Sequence, residues 1–251
     1  MMLNSVIVLI IAYWLLHYTT KQIQIRIFSI SLLITKHTKL GIFLYSILLL
    51  PGTITHELAH AITATVLAVP VGAIDILPKR SSKGRNISLG HVQIAKVDFI
   101  RHSIIGFSPT LVGSLVIILM MYFLDSTFFV INSPSQFTQT IYNLSQHSRL
   151  SLILVLYTIF SIAGSMHTSE SDRKNWPLFI VLLTVAALTL YITVGFGFVK
   201  AQMINSLNSV FSSLALAYLF ATIINVFITL LLWIMQASIS KITGRKIIRT
   251  S

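Results

Sequence analysis

The sequence predicts an all-α polytopic membrane protein of about six transmembrane helices, with a small β-hairpin after the second apolar segment. Three observations lead there. Of 251 residues, 55% are hydrophobic and only 10% are charged, with a mean hydropathy of +0.86, whereas a soluble domain carries roughly 25% charged residues. Several apolar runs approach the ~20 residues that cross a bilayer. One polar stretch alternates apolar and polar residues as a strand does. No length remains for a sizeable soluble domain, so residues 1–251 are read as one integral membrane domain.

Taken in order, residues 3–19 read as a retained N-terminal membrane helix, because the run lacks the basic start and small-residue cleavage pattern of a secretory signal. Residues 22–31, Gln-Ile-Gln-Ile-Arg-Ile-Phe-Ser-Ile-Ser, alternate, which predicts a strand or an interfacial segment. The run 40–69 would be ~45 Å long as one helix, more than a ~30 Å hydrocarbon core, and Pro51-Gly52 is placed to kink it. Residues 70–102 are polar and basic. Within them Ile87, Leu89, Val92, Ile94, Val97 and Phe99 approximate two alternating strands around Gly90. Four further apolar spans follow at about 103–124, 150–166, 177–199 and 211–236, the last leading to a basic tail, 237–251.

Lys and Arg number 18 against six acidic residues, a formal charge of +12. No recognition module accompanies that charge, so nucleic acid is set aside as a partner. The distribution fits the positive-inside tendency instead. Residues 125–147 hold no Lys or Arg, whereas 79–101 and the tail with Lys241, Arg245, Lys246 and Arg249 are basic. Four spans separate the two basic regions, which places both on the cytoplasmic side of a plasma (inner) membrane. Lys21, Arg26, Lys36 and Lys39 are left on the outer side by this arrangement unless their segment re-enters.

The chain has no cysteine, which excludes disulfides, thiolate metal sites and cysteine nucleophiles. Any metal must be held by histidine and carboxylate. His56-Glu57-Leu58-Ala59-His60 spells H-E-x-x-H inside the apolar run 40–69. On a helix the two histidines share one face and reach one ion, while Glu57 stands where a carboxylate takes a proton from a water that the metal activates. Chance would supply this pattern in about one percent of chains of this size, and ionisable residues inside a membrane are costly enough to point to function. The competing reading is a polar cluster that only satisfies itself within a helix bundle.

A catalytic metal usually has three protein ligands. Asp125 falls in the outer loop, and Asp75 and Asp98 fall in the hairpin region. That leaves the turn Met166-His167-Thr168-Ser169-Glu170-Ser171-Asp172-Arg173, on the side where the motif helix emerges. Asp172 is favoured as the third ligand, with His167 or Glu170 as substitutes; Ser171 or Asp172 capping the next helix is the structural reading of the same turn. His17, His37, His91, His102 and His147 lack ligand spacing.

With these residues in place, the chain resembles the site-2 protease family of intramembrane zinc metalloproteases. An H-E-x-x-H on a membrane helix, a strand-forming stretch after it and a distant aspartate at the entry of a later span carry the resemblance. It covers roughly residues 40–200. The stretch Gly106-Phe107-Ser108-Pro109-Thr110-Leu111-Val112-Gly113 is similar to the glycine- and proline-bearing segment of the family's next core helix. The resemblance implies Zn2+ held by His56, His60 and Asp172, with Glu57 as general base, and a membrane protein or peptide as substrate. The chain departs from the family where Asn-Pro-x-x-Asp-Gly would stand, reading Ser-Glu-Ser-Asp-Arg, and it has no PDZ-like insertion. The rival expectations are a non-proteolytic transporter subunit or scaffold, and a metal-binding membrane protein with another activity or none.

Overall fold

A computed structural model describes residues 2–76, 79–80, 87–88, 90–125, 134–166, 181–182, 184–185, 189 and 198–245. Within them the chain is helical apart from two short strand pairs. Helix α1 (Met2–Thr35) is followed by α2 (Thr38–Leu48), α3 (Leu50–Val66), strands β1 (Val71–Asp75), β2 (Lys79–Arg80), β3 (Ile87–Ser88) and β4 (His91–Ile94), then α4 (Phe99–Leu124), α5 (Pro134–Gln146), α6 (Arg149–Ser165) and α7 (Phe198–Thr243).

The segment 22–31 is neither a strand nor a separate interfacial piece, because α1 continues through it without a break. The alternation misleads since Ile23, Ile27 and Ile30 also recur at helical spacing, and all three are buried. They face the seam between α1 and the other helices, where Ile23 and Ile27 pack with Tyr45, Leu49 and Phe160.

Helices α1 and α7 lie side by side and run in the same direction. Ser5 Oγ donates to Asn208 Oδ1 at 2.8 Å. Further along, Asn225 Nδ2 donates to Thr20 Oγ1 at 3.0 Å and to Thr19 Oγ1 at 3.4 Å. Then Arg26 Nη1 donates to Gln236 Oε1 at 3.0 Å, and Arg245 Nη1 to the Leu33 carbonyl at 2.7 Å. Both sequence positions rise together, so the C-terminal ends coincide. Lys36 and Lys39 therefore stand at the end that carries Lys241 and Arg245, not on the opposite side. Sequence patterning could not show this, since it places segments by counting spans.

The bend foreseen at Pro51-Gly52 is present: α2 and α3 meet at 72°. Leu49, with φ −100° and ψ 9°, is the break. Pro51 has no N–H to offer the Ile47 carbonyl, and Tyr157 Oη approaches that oxygen at 3.4 Å. Gly52 allows the first turn of α3 to back onto α6. Its N–H donates to Ser161 Oγ at 2.9 Å, and a Cβ there would collide with the Ser161 carbonyl.

The hairpin differs from expectation in its pairing. Strand β1 pairs antiparallel with β4 and β2 with β3, with Val71 opposite Ile94, Asp75 opposite His91, Lys79 opposite Ser88 and Arg80 opposite Ile87. Gly90 interrupts the returning arm and is not the turn. Phe99 opens α4 and belongs to no strand. Asp98 caps that helix, accepting from the Arg101 N–H at 3.0 Å, so the polypeptide becomes helical where the alternation still reads as strand. The hairpin base is anchored as Val71, Ile94 and Val97 pack on Ala64, Val69 and Ile105.

Residues 125–147, read as a loop, contain α5. Helices α4 and α6 match the expected spans closely, whereas α7 extends well beyond 211–236 on both sides. Of 177–199, the described positions before α7 are helical, and the rest lies outside the described residues. The main core joins Ala12 and Leu16 of α1, Ile117 and Met121 of α4, Ile159 and Ala163 of α6, and Ala217 and Ala221 of α7.

Three helices, Asn4–Thr35, Phe99–Leu124 and Ile204–Thr243, are long and apolar enough to cross a membrane, and the bent pair adds a fourth if it counts as one span. Six spans are not reached among the described residues. Trp14, Ile223, Phe227 and Leu150 point outward while Thr20, Ser103, Ser161 and Asn225 are buried. Apolar exteriors with hydroxyl and amide groups at the helix seams suit a lipid surround.

Candidate metal centre

Helix α3 carries the H-E-x-x-H on its inner side. Glu57, His60, Ala61 and Ala64 are buried, while Leu58, Ile62 and Val66 face outward. The helical repeat brings the His56 and His60 rings together, with centroids 4.8 Å apart and planes at 84°. Glu57 and His60 are each only 6% exposed, so two ionisable groups have been taken into the interior one turn apart.

The His60 ring is oriented by α4. Its Nδ1 lies 2.9 Å from the Ile105 carbonyl oxygen. A carbonyl only accepts, so Nδ1 carries the proton and donates, which in the neutral ring leaves the lone pair on Nε2. Metal-ligating histidines commonly have this arrangement, with the second nitrogen tied to a carbonyl or carboxylate. Ser108 Oγ donates to the same oxygen at 2.7 Å.

Glu57 is covered by the hairpin. A Cβ built on Gly90 would lie 2.5 Å from Glu57 Oε1 and 2.8 Å from its Cγ. The backbone of the returning strand therefore rests against the carboxylate at the one residue type that permits such an approach.

Asp172, Glu170 and His167 lie outside the described residues. The chain leading to them is described. A Cβ on Gly52 would meet Ser165 Oγ, and one on Gly113 would lie 2.6 Å from Met166 Cγ. The end of α6 thus occupies the notch between α3 and α4, one turn of α3 before His56.

Of the remaining described acids, Asp98 and Asp125 are engaged elsewhere. Asp98 caps α4 and pairs with Arg101, whose Nε is 3.4 Å away. The hydrogen bond from the Arg101 N–H and the nearby guanidinium hold its carboxyl below the ordinary 3.8. Asp75 faces His91 across the strand pair. Asp125 accepts from Asn143 Nδ2 at 3.2 Å and stands ~30 Å along α4 from Ile105. Among the described residues no group of three or more His, Asp or Glu side chains converges on one point.

The donor set nevertheless fits a divalent metal in two of its parts. Two imidazoles share one face, and one has its tautomer fixed with the lone pair on the nitrogen a metal would use. The hydroxyl oxygens of Thr53, one turn before Glu57, and Thr110, beside Pro109, are buried without a hydrogen-bond partner among the described residues. Sequence reasoning missed Gly90 and the Ile105 carbonyl as parts of this site. A glycine interrupting a strand was the signal for the first, and a proline four residues after Ile105 was the signal for the second.

Comparison with protein-family models, curated proteins and solved structures finds no match for this chain.

Proposed function

We propose that the chain is an intramembrane zinc metalloprotease, hydrolysing peptide bonds of membrane-embedded or membrane-adjacent substrates. The observation that carries the reading is the pair of adjacent imidazoles on α3, one of them held through Nδ1 by a backbone carbonyl. His56 and His60 would hold the ion, with Asp172 as the third ligand. Zinc bound there would polarise the scissile carbonyl and lower the pKa of water toward neutrality.

The chain's own residues supply the rest. Glu57 is buried beside the histidines and accepts the proton of the attacking water, then returns it to the leaving amine. Burial excludes bulk water and strengthens its interactions with the reacting groups. Strand β4 begins beside Glu57, so its edge is positioned to hold an unwound substrate by strand addition. Unwinding is needed because a helical backbone is shielded by its own hydrogen bonds. The His60 ring lies against Ile105, six residues or ~9 Å into α4 from Phe99. A membrane surface at the start of α4 would leave the chemistry below it.

The alternative is a polar cluster that knits α3 to α4 in a non-proteolytic membrane protein. The His60 to Ile105 bond would serve that role too. Zinc analysis of the purified protein separates the two: near one zinc per chain, lost in His56→Ala and His60→Ala, is expected. Stoichiometry near zero, unchanged by His56→Ala, refutes the metal. Asp172→Asn should lose zinc, and loss in Glu170→Gln or His167→Ala instead reassigns the third ligand. Cleavage of a membrane substrate that survives Glu57→Gln counts against the mechanism.

A further inference from the structure

We infer that Pro109 is a positioning residue, which creates the acceptor that fixes His60. Its effect on zinc rests on the metal reading above; its effect on the imidazole does not. In an α-helix the carbonyl of residue i accepts from the N–H of residue i+4. For Ile105 that donor would be residue 109, and proline has no N–H. Pro109 lies inside α4, a helix of 26 residues that is otherwise uninterrupted. The carbonyl it deprives is the one that His60 Nδ1 and Ser108 Oγ use, at 2.9 and 2.7 Å.

The coincidence has a physical reason. A carbonyl has two lone pairs, and a buried one left unbonded costs several kcal/mol in an apolar surround. Ser108, the residue before the proline, supplies one donor from within α4. The second comes from α3, and it is the histidine of the motif. Proline is tolerated in membrane helices where a neighbouring helix repairs the missing bond in this way. Here the repair has a direction: it requires a proton on His60 Nδ1, so in the neutral ring the lone pair falls on Nε2. In water a neutral imidazole prefers the other tautomer, with its proton on Nε2, so the selection is imposed by α4.

Pro109→Ala would restore a helical donor to Ile105. Three donors would then compete for two lone pairs, and the two within α4 are covalently fixed in place. His60 is the one displaced. Ser108→Ala removes a competitor and leaves the His60 bond intact.

The test uses full-length protein with 15N-labelled histidine in detergent micelles, first without metal. His60 is assigned by the signals missing in His60→Gln. The native protein and Ser108→Ala should both show the Nδ1–H tautomer, and Pro109→Ala should lose it. Zinc affinity, measured by competition with a chelator, should fall 10- to 100-fold in Pro109→Ala and hold in Ser108→Ala. A Pro109→Ala protein whose stability changes while its His60 tautomer and zinc affinity stay native overturns the inference, as does a native His60 that carries its proton on Nε2. If the tautomer responds as stated but no variant binds zinc, the positioning stands and the protease reading falls.

Discussion

Replacing Gly90 with alanine should damage the chemistry far more than the fold. The added methyl carbon would sit 2.5 Å from Glu57 Oε1 and 2.8 and 2.9 Å from Cγ and Cδ, where ordinary contact begins near 3.4 Å. All three atoms belong to one flexible side chain, so the clash is relieved by moving the Glu57 carboxylate by about 0.9 Å, without pushing α3 away. A displacement near 1 Å at a reacting group costs on the order of 100-fold in rate, about 2.7 kcal/mol of barrier at 1.36 kcal/mol per factor of ten. Stability should change by under about 1 kcal/mol, since neither backbone nor a buried apolar contact is forced to shift.

The assay compares cleavage of a membrane-embedded substrate by native protein and Gly90→Ala, alongside zinc content and thermal unfolding. The expected pattern is a kcat reduced about 100-fold with native zinc stoichiometry and near-native unfolding. Cleavage at the native rate would refute the reasoning, because it would mean that Glu57 moves freely without consequence. Loss of zinc together with activity would also refute it, since Glu57 is not assigned as a ligand.

Gly52→Ala should behave oppositely: its Cβ meets the backbone carbonyl of Ser161, which cannot swing aside, so a destabilisation at or above the ~1–3 kcal/mol of overpacking is expected, read from denaturant titration in micelles. Asn225→Ala removes an amide that is fully buried and bonded to Thr19 and Thr20. It should cost about 1–2 kcal/mol, with a coupling to Thr20→Val nearer ~0.6 kcal/mol in a double-mutant cycle. The Asp98 carboxyl ionises at lower pH when folded than unfolded, so its contribution is complete above the ordinary carboxylate range and is lost as pH falls through its folded value. Melting temperature followed across acid pH should show that limb, and Asp98→Asn should flatten it.

How far the sequence could be read depended on whether the governing interaction was local. The H-E-x-x-H face follows from helical geometry alone, and the rings of His56 and His60 lie together as that geometry requires. The bend at Pro51 and the spans of α4 and α6 were legible for the same reason. The segment 22–31 misled because Gln-Ile-Arg-Ile satisfies a two-residue period and a four-residue period at once. What decides between them is α7, more than 200 residues away, which offers Gln236 to Arg26. The hairpin register failed similarly, since β4 pairs with β1 across residues 76–90 and local alternation says nothing of a partner at that distance. In the site, His56, Glu57 and His60 form a sequence motif, but their supports do not. The cover on Glu57 comes from Gly90 and the hold on His60 from Ile105, each contributed by another element.

The shared direction of α1 and α7 constrains the chain by parity. A polypeptide changes sides each time it crosses a membrane, so its first and last crossings point the same way only if their total is odd. If α1 and α7 both cross, an odd total fits, and five is reached when one apolar segment enters and leaves by the same face. The pair α2 and α3 has the geometry for it, with α2 lying back along α1, where Gly41 meets Phe28 and Ser31, before the chain turns 72°. If that pair dips in and returns, Lys36, Lys39, the hairpin and the basic tail all gather on one side. The positive charges then agree with the fold, and the H-E-x-x-H rides on the returning limb of the dip.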